Sequence, residues 1–286
     1  MGFALLLTSH VAASRVGGGV SASALQAAGI DTALVPTVLL GRHPGWGSPG
    51  GGAVNDAEFE SQIDAIRAQG MFAKTNAILT GYFASVRQVE CAAVTIDTVR
   101  AAAPREGNAC NFVDDPVIVI DPIIGDAGGL YVREEIAVAI RDLLVPRADL
   151  VTPNAFELGW LTGLPVTDVK TTLAAVRAIN RPVLASSIPE GDQIGVLYVD
   201  AHQSMMVMHR QLDDVPHGTG DLLTAIFLAE LLNGRDAKAG LEAATSRVFD
   251  TVLKAKAWNS PELPDVTARL KPLDAETRLE ARAIGG

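Results

Sequence analysis

The alternation of short apolar runs with longer amphipathic runs constrains the fold of this chain more than any other feature. A short apolar run bounded by turn residues is typical of a strand buried on both faces, and strands separated by helices form parallel sheets. The candidate strands are Phe3–Thr8, Thr32–Val35, Ala77–Thr80, Val117–Asp121, Leu150–Thr152 and Val183–Ser186. The sequence therefore predicts an α/β fold with a mostly parallel central sheet flanked by helices on both faces.

The segments between these strands have the spacing of amphipathic helices. In one of them, Phe59, Ile63 and Ile66 recur at helical intervals before Gly70. The predicted helices are Ser21–Ala28, Asp56–Gln69, Val86–Arg100, Arg133–Leu144 and Asp168–Ile179, the last with Thr167 as its N-cap. In the C-terminal part, Gly195–Val199 and Ser204–His209 are predicted to form a hairpin-like pair. A helical region is predicted from Asp221 to about Lys256, with a break at Asn233-Gly234, and a final helix over Asp274–Ala283.

Composition narrows the class of protein. With 48% hydrophobic and 20% charged residues, the 286-residue chain can bury a large core, and we expect one domain over residues 1–286.

A net charge of -10 opposes nucleic-acid binding, which needs clustered Lys and Arg. Cys91 and Cys110 are the only cysteines and have no CxxC spacing, so neither a disulfide framework nor a cysteine zinc site is indicated. The start lacks a basic signal-peptide region, and no apolar run approaches ~18 residues, so we expect a soluble cytoplasmic protein without membrane association.

The segment at residues 41–52, here called the flap, is rich in glycine and proline. This composition predicts a long loop without regular structure. A long loop in a compact domain is often a lid that excludes water from a site, and a mobile surface loop is the alternative.

The stretch from His217 to Asp221, with Gly218 and Gly220 around Thr219, stands directly before a long apolar run. Glycines allow backbone to approach a charged ligand, and the N–H groups at a helix start favour a phosphate. Asp221 beside that phosphate could accept a proton from an attacking hydroxyl, or it could be a simple N-cap. The functional interpretation is phosphoryl transfer, in which the Gly218–Gly220 amides neutralise charge on the transferred group.

Polar residues follow several candidate strands, and the carboxyl ends of parallel strands share one edge of the sheet. Asp121 precedes Pro122, so its strand should end there, while Asn154 and Glu157 lie on one face at a helix start. Two carboxylates and an amide near a phosphate site suit Mg2+, which keeps several waters. Glu157 could instead be only a capping-box partner.

Five segments together resemble the pyridoxal kinases, the vitamin B6 branch of the ribokinase superfamily. They are Ser9-His10-Val11, Thr80-Gly81-Tyr82, Asp121 to Asp126, Thr152 to Glu157 and Gly218 to Asp221. The resemblance runs from about Phe3 to Asp250. It implies a ribokinase-like fold, a homodimer, and ATP-dependent phosphorylation of the 5′-hydroxymethyl group of pyridoxal, pyridoxine or pyridoxamine, with Asp221 as general base.

The resemblance also implies roles for individual residues. The substrate-binding residues would be Ser9, Val38, His43, Tyr82 and Asp221. The ATP-binding residues would be Asp121, Asn154, Glu157, Ser186, Leu212, Pro216, Gly218, Thr219 and Gly220. Mg2+ would be held by Asp121 and Glu157, and the sequence leaves open a requirement for a monovalent cation.

The chain departs from the family pattern mainly around the acceptor and the flap. Pro44 stands where the family usually has threonine, Ser14 where it has glycine, and Gly18 where it has asparagine. Ala185 replaces a threonine, and Leu222 replaces a phenylalanine. Two other functions remain open: a hydroxymethylpyrimidine kinase, or another small-heterocycle kinase, of the same fold, and a non-catalytic sensor that binds a vitamin or nucleotide.

Overall fold

The computed structural model describes residues 2–102, 115–264 and 279–284. Its strands are β1 (Phe3–Val11), β2 (Asp31–Leu40), β3 (Gly51–Ala53), β4 (Ala77–Thr80), β5 (Val117–Ile120), β6 (Gly125–Asp126), β7 (Gly129–Leu130), β8 (Leu150–Val151), β9 (Val183–Glu190), β10 (Gln193–Val199), β11 (Ser204–Arg210) and β12 (Arg282–Ala283). Within those ranges, all but β6 and β7 form one sheet in the order β12-β11-β10-β9-β8-β5-β4-β1-β2-β3.

Six neighbouring strands at the centre of the sheet pair in parallel, as the strand and helix pattern predicts. In spatial order they are β2, β1, β4, β5, β8 and β9. Antiparallel strands extend both edges, with β3 beside β2 at one end and β10, β11 and β12 at the other. The hairpin-like pair near the C-terminus is confirmed as β10 and β11. The carboxyl ends of the parallel strands therefore face one common edge.

The helices cover both faces of the sheet. They are α1 (Gly17–Ala27), α2 (Asp56–Ala68), α3 (Val86–Ala102), α4 (Glu134–Ala139), α5 (Ala155–Thr162), α6 (Val169–Ile179), α7 (Thr219–Leu232) and α8 (Ala237–Ala257). The apolar run of strand β1 contributes to the hydrophobic cores on both faces of the sheet. Leu5 and Leu7 pack into one core, and Ala4 and Leu6 pack into the other. Alternating side chains of a strand point to opposite faces, which is why both sides of this run are apolar. The predicted fold class is thus confirmed.

One predicted helix cap was wrong, and one predicted helix consists of two helical types. Asp168, not Thr167, is the N-cap of α6, because its side chain accepts a hydrogen bond of 2.7 Å from the Thr171 amide. The predicted helix Arg133–Leu144 is α-helical only to Ala139 and continues as a π-helical turn over Ile140–Leu144.

The predicted final helix Asp274–Ala283 is also wrong where it can be compared. Residues 274–278 lie outside the described ranges, and Arg282–Ala283 are extended. They pair with Met205 and Met206 of β11, whose outer edge offers unpaired backbone groups. This pairing outweighs the local preference for a helix.

The flap contains regular structure that its composition did not predict. Pro44–Trp46 form a 3-10 helix, and Gly51–Ala53 form β3 against β2. Pro44 stands in the first turn of the short helix, where its fixed φ is suitable and its missing N–H is not needed. No helix in the described ranges is long and apolar enough to cross a membrane.

Candidate active site

The start of α7 forms a cradle of backbone amides. Gly218, the N-cap, has φ of 92°, and a Cβ there would lie 2.1 Å from the carbonyl oxygen of Arg15. Glycine is therefore required by both conformation and space. The N–H groups of the first turn have no acceptor within the helix, so they can bind an anion as the sequence suggests.

Asp221 lies in the first turn of α7, partly accessible at the edge of the cradle. Burial raises the pKa of its carboxyl from 3.8 to about 6, and a hydrogen bond from the Gly17 amide opposes that rise. Gly17 has φ of 55°, and a Cβ on it would lie 2.1 Å from Oγ of Ser9. Gly17, at the start of α1, thus lies between the predicted substrate residue Ser9 of β1 and the predicted base.

Asp121 follows β5 directly and is only 7% exposed. Its Oδ2 accepts a hydrogen bond of 3.3 Å from the Thr224 hydroxyl of α7. Burial raises its pKa well above the usual value, and the charges of Asp221 and then Glu157 raise it further. The structure therefore brings the three predicted carboxylates into one cluster, where their mutual repulsion favours a cation.

Asn154 and Glu157 form a capping box at the start of α5. Oδ1 of Asn154 accepts a hydrogen bond from the backbone N–H of Glu157, and Oε2 of Glu157 accepts one from the backbone N–H of Asn154, both at 2.9 Å. Oε1 of Glu157 also accepts from the amides of Ile124 and Gly125, at 3.0 and 3.5 Å. Burial raises the pKa of Glu157 to about 7 despite these hydrogen bonds. Glu157 thus holds the loop after β5 beside Asp121.

A cavity of about 440 Å³ opens beside the cradle. Six predicted ATP-binding residues line it: Ser186, Leu212, Pro216, Gly218, Thr219 and Gly220. The other three, Asp121, Asn154 and Glu157, are not among its lining residues. The cavity holds a nucleotide-sized space on one side of the cradle, and the carboxylate cluster stands outside it.

The far wall of this cavity was not predicted from the sequence. Gly195 of β10, His209 of β11, and Thr245 and Phe249 of α8 line it. The rings of His209 and Phe249 lie 5.1 Å apart between centroids. A flat heterocycle fits such a wall. These residues carry no local motif, because β11 and α8 meet only in the folded chain.

The predicted substrate residues Ser9, Val38, His43 and Tyr82 lie on β1, on β2, in the flap and just after β4. Val38 on β2 is buried, and burial raises the pKa of Tyr82. The Tyr82 carbonyl accepts a hydrogen bond of 2.6 Å from Thr37 of β2. The His43 ring of the flap stacks on the ring of His217, with centroids 4.1 Å apart. The flap therefore touches the loop that leads into the cradle.

The departures from the family pattern have structural counterparts. A Cβ on Gly18 would lie 2.4 Å from Cδ1 of Leu34, so the asparagine usual in the family would need a smaller neighbour. Ala185 and Leu222 are fully buried in the cores. Ser14, in place of glycine, accepts a hydrogen bond of 3.1 Å from the His43 amide.

Two contributors to the catalytic cluster were also missed. Gly17 donates to Asp221, and Thr224 donates to Asp121. A signal existed for each of them. The run of three glycines from Gly17 marks a close backbone approach, and Thr224 follows Asp221 by three residues on one helix face.

A mostly parallel sheet, a helix-start amide cradle and an adjacent carboxylate define the class of ribokinase-like small-molecule kinases. The sequence model of the phosphomethylpyrimidine kinase family matches residues 50–263. The chain belongs to this family, and within it to the pyridoxal kinases that the sequence resembles.

Relatives from two bacteria are similar over most of their length. A pyridoxine/pyridoxal/pyridoxamine kinase of Bordetella avium is 35% identical over 89% of this chain and 86% of its own. A pyridoxal kinase of Corynebacterium diphtheriae is 31% identical over 91% of both chains.

The fold is similar to that of solved pyridoxal kinases. The enzyme of Leishmania donovani, in complex with ADP and pyridoxine, superposes with a TM-score of 0.89 over 99% of both chains at 24% identity. The enzyme of Entamoeba histolytica gives a TM-score of 0.88 over 99% of this chain and 100% of its own, also at 24% identity. At this level of identity the likeness concerns the fold.

Proposed function

We propose that this protein is an ATP-dependent kinase that phosphorylates the 5′-hydroxymethyl group of B6 vitamers, giving pyridoxal 5′-phosphate from pyridoxal. The observation that carries the proposal is the position of Asp221, which lies in the first turn of α7 beside the amide cradle and accepts a hydrogen bond from Gly17, the neighbour of Ser9. The names of the Bordetella and Corynebacterium relatives support the choice of acceptor.

The chemistry follows from this position. The Asp221 carboxylate accepts the proton of the alcohol as its oxygen attacks the γ-phosphorus of ATP. The bond from the γ-phosphorus to the bridging oxygen breaks, and ADP leaves with the electron pair. The amides of Gly218, Thr219 and Gly220 donate hydrogen bonds to the phosphate oxygens on which negative charge develops. The roles of Ser9, Val38, His43 and Tyr82 against the pyridine ring are part of the proposal.

The carboxylate cluster fits Mg2+, which when bound would offset the negative charge of the phosphate groups. Asp121 is the better direct ligand because the Thr224 hydroxyl donates to it over a long distance of 3.3 Å, whereas Glu157 already accepts three backbone hydrogen bonds. We therefore assign Glu157 a contact through water. Among the described residues, no group of three or more His, Cys, Asp or Glu side chains is arranged to hold a metal ion.

An ATP-consumption assay across acceptors tests this function. We expect turnover with pyridoxal, pyridoxine or pyridoxamine, and Asp121→Ala should shift the Mg2+ titration to higher concentration. A magnesium titration that overlays the parent would contradict the metal role, and absence of turnover with every vitamer would contradict the function. Light scattering after gel filtration tests the homodimer that we also propose.

A second candidate, hydroxymethylpyrimidine phosphorylation, rests on the matching family model, whose description names phosphomethylpyrimidine kinase. It shares the catalytic residues and differs in the heterocycle. Including hydroxymethylpyrimidine in the same assay separates the two: faster turnover with it than with any vitamer would favour the second candidate.

A further inference from the structure

The carboxylate of Glu262, which lies after α8, contacts two distant segments near the acceptor side. Its Oε1 accepts hydrogen bonds of 2.8 Å from the Ser14 hydroxyl and from Nε1 of Trp46 in the flap. Its Oε2 accepts one of 3.1 Å from the Arg15 amide. Charge-assisted hydrogen bonds of this kind are stronger than neutral ones. One side chain thus joins the flap to the β1–α1 loop.

The backbone around Glu262 is itself held in place. Leu263, the next residue, is 2% exposed and packs into the core with α7 and α8. The Ser260 amide donates to the Ala255 carbonyl at 2.8 Å, and the Ser260 hydroxyl donates to the Glu262 carbonyl at 2.7 Å. Core packing and hydrogen bonds fix the turn after α8. The Glu262 carboxylate is therefore a fixed hydrogen-bond acceptor for the Trp46 side chain of the flap.

Ser14 extends this contact to His43. The Ser14 side chain is buried, donates to Glu262, and accepts the hydrogen bond from the His43 amide. Nδ1 of His43 accepts from the Gly45 amide at 3.1 Å, and its ring stacks on His217. Two hydrogen bonds in series therefore connect Glu262 through Ser14 to the backbone of His43 in the flap. His43 is one of the residues predicted to contact the substrate.

We propose that Glu262 is a positioning residue that holds the flap over the acceptor site and, through Ser14, fixes the backbone of His43. The inference rests on the proposed function because that function says what the flap covers. Glu262 has no contact with the carboxylate cluster in the hydrogen bonds described, so its loss disorders the flap without removing the base or the cradle. An ordered flap contributes to acceptor binding because it avoids the entropy cost of closing on each substrate.

The test compares Glu262→Ala with Glu58→Ala, which removes an exposed carboxylate from α2. Two readouts are used: limited trypsin cleavage after Arg42, an exposed flap residue, followed by mass spectrometry without ligands, and steady-state kinetics with pyridoxal. We expect Glu262→Ala to raise both the cleavage rate and the KM for pyridoxal roughly tenfold, with kcat within about twofold of the parent. Glu58→Ala should match the parent in both readouts.

Two further variants separate positioning from general destabilisation. Trp46→Phe keeps an aromatic ring and loses only the Nε1–H donor, so it should raise cleavage and KM a few-fold at an unchanged Tm. Glu262→Gln keeps one acceptor oxygen and should give an intermediate result. If Glu262→Ala also lowers Tm, the Trp46→Phe result decides between the two explanations.

Two results would overturn the proposal: parental cleavage at Arg42 in both Glu262→Ala and Trp46→Phe, or a loss of kcat at unchanged KM and cleavage. The cleavage comparison needs no turnover. If the parent enzyme phosphorylated none of the acceptors, the proposed function would fail, and faster cleavage in the variants would still show that Glu262 holds the flap.

Discussion

The two halves of the active site are built in different ways. The proposed nucleotide half is contiguous in sequence at its centre, where Gly218 to Asp221 form the amide cradle and carry the proposed base at the start of one helix. The acceptor half is assembled from segments more than two hundred residues apart, with Glu262 bound to Ser14 and Trp46. This difference predicts that phosphoryl transfer depends on local backbone geometry, whereas binding of the substrate alcohol depends on long-range side-chain contacts.

The largest expected effect comes from removing the base in the contiguous half. Asp221→Asn should lower kcat by roughly 10²–10⁴ because the amide cannot accept the proton, while nucleotide binding by calorimetry stays near that of the parent. Asp192→Asn, in the exposed turn between β9 and β10, is the matched control. Turnover at the parental rate in Asp221→Asn would show that proton transfer is carried by another group.

The pH dependence of the same group should give the next largest effect. Burial raises the pKa of Asp221 to about 6, so the carboxylate needed as base is lost as pH falls through that value. We expect kcat/KM with pyridoxal to drop about tenfold for each pH unit below this point. The same raised pKa makes the protonated protein relatively more stable, and this contribution disappears as pH rises through about 6.

The residual activity of Asp221→Asn provides the check on that assignment. Its pH profile should lack the acidic limb, because the titrating group has been removed. An unchanged limb in the variant would assign the titration to a different group, such as Glu157, whose pKa is raised to about 7.

A glycine pair tests whether the cradle depends on backbone geometry. Gly218→Ala places a Cβ against the Arg15 carbonyl at a φ of 92° and should lower Tm by roughly 4–10 °C. Gly220→Ala, where a Cβ meets nothing within 4 Å, should change Tm by no more than about 3 °C. Equal Tm changes in a thermal melt of the two variants would contradict the geometric argument.

The smallest expected effect lies in the acceptor half. Ser14→Gly restores the residue usual in the family and removes one link between Glu262 and His43. We expect the KM for pyridoxal to rise two- to fivefold, with the KM for ATP unchanged, because one of several hydrogen bonds is lost. A larger effect on ATP than on pyridoxal would mean that the flap serves the nucleotide half instead.

The sequence predicts the structural features that depend on neighbouring residues, and it does not predict those that depend on contacts between distant segments. The strands β1, β4 and β5 follow from apolar runs, and Asp121 at the end of β5 follows from the proline after it. The short helix in the flap and the strand β12 were not predicted. Both depend on partners elsewhere in the chain, Ser14 with Glu262 for the flap and β11 for the tail.

The sequence by itself determined the alternating strand and helix pattern, the two apolar faces of the sheet, and the glycine-flanked aspartate at the start of α7, because periodicity and turn chemistry act over a few residues. Only the tertiary structure decided that three carboxylates lie near one another, that β10, β11 and α8 close the cavity beside the cradle, and that Glu262 reaches the flap. These contacts depend on how distant segments pack, and no local pattern encodes that packing.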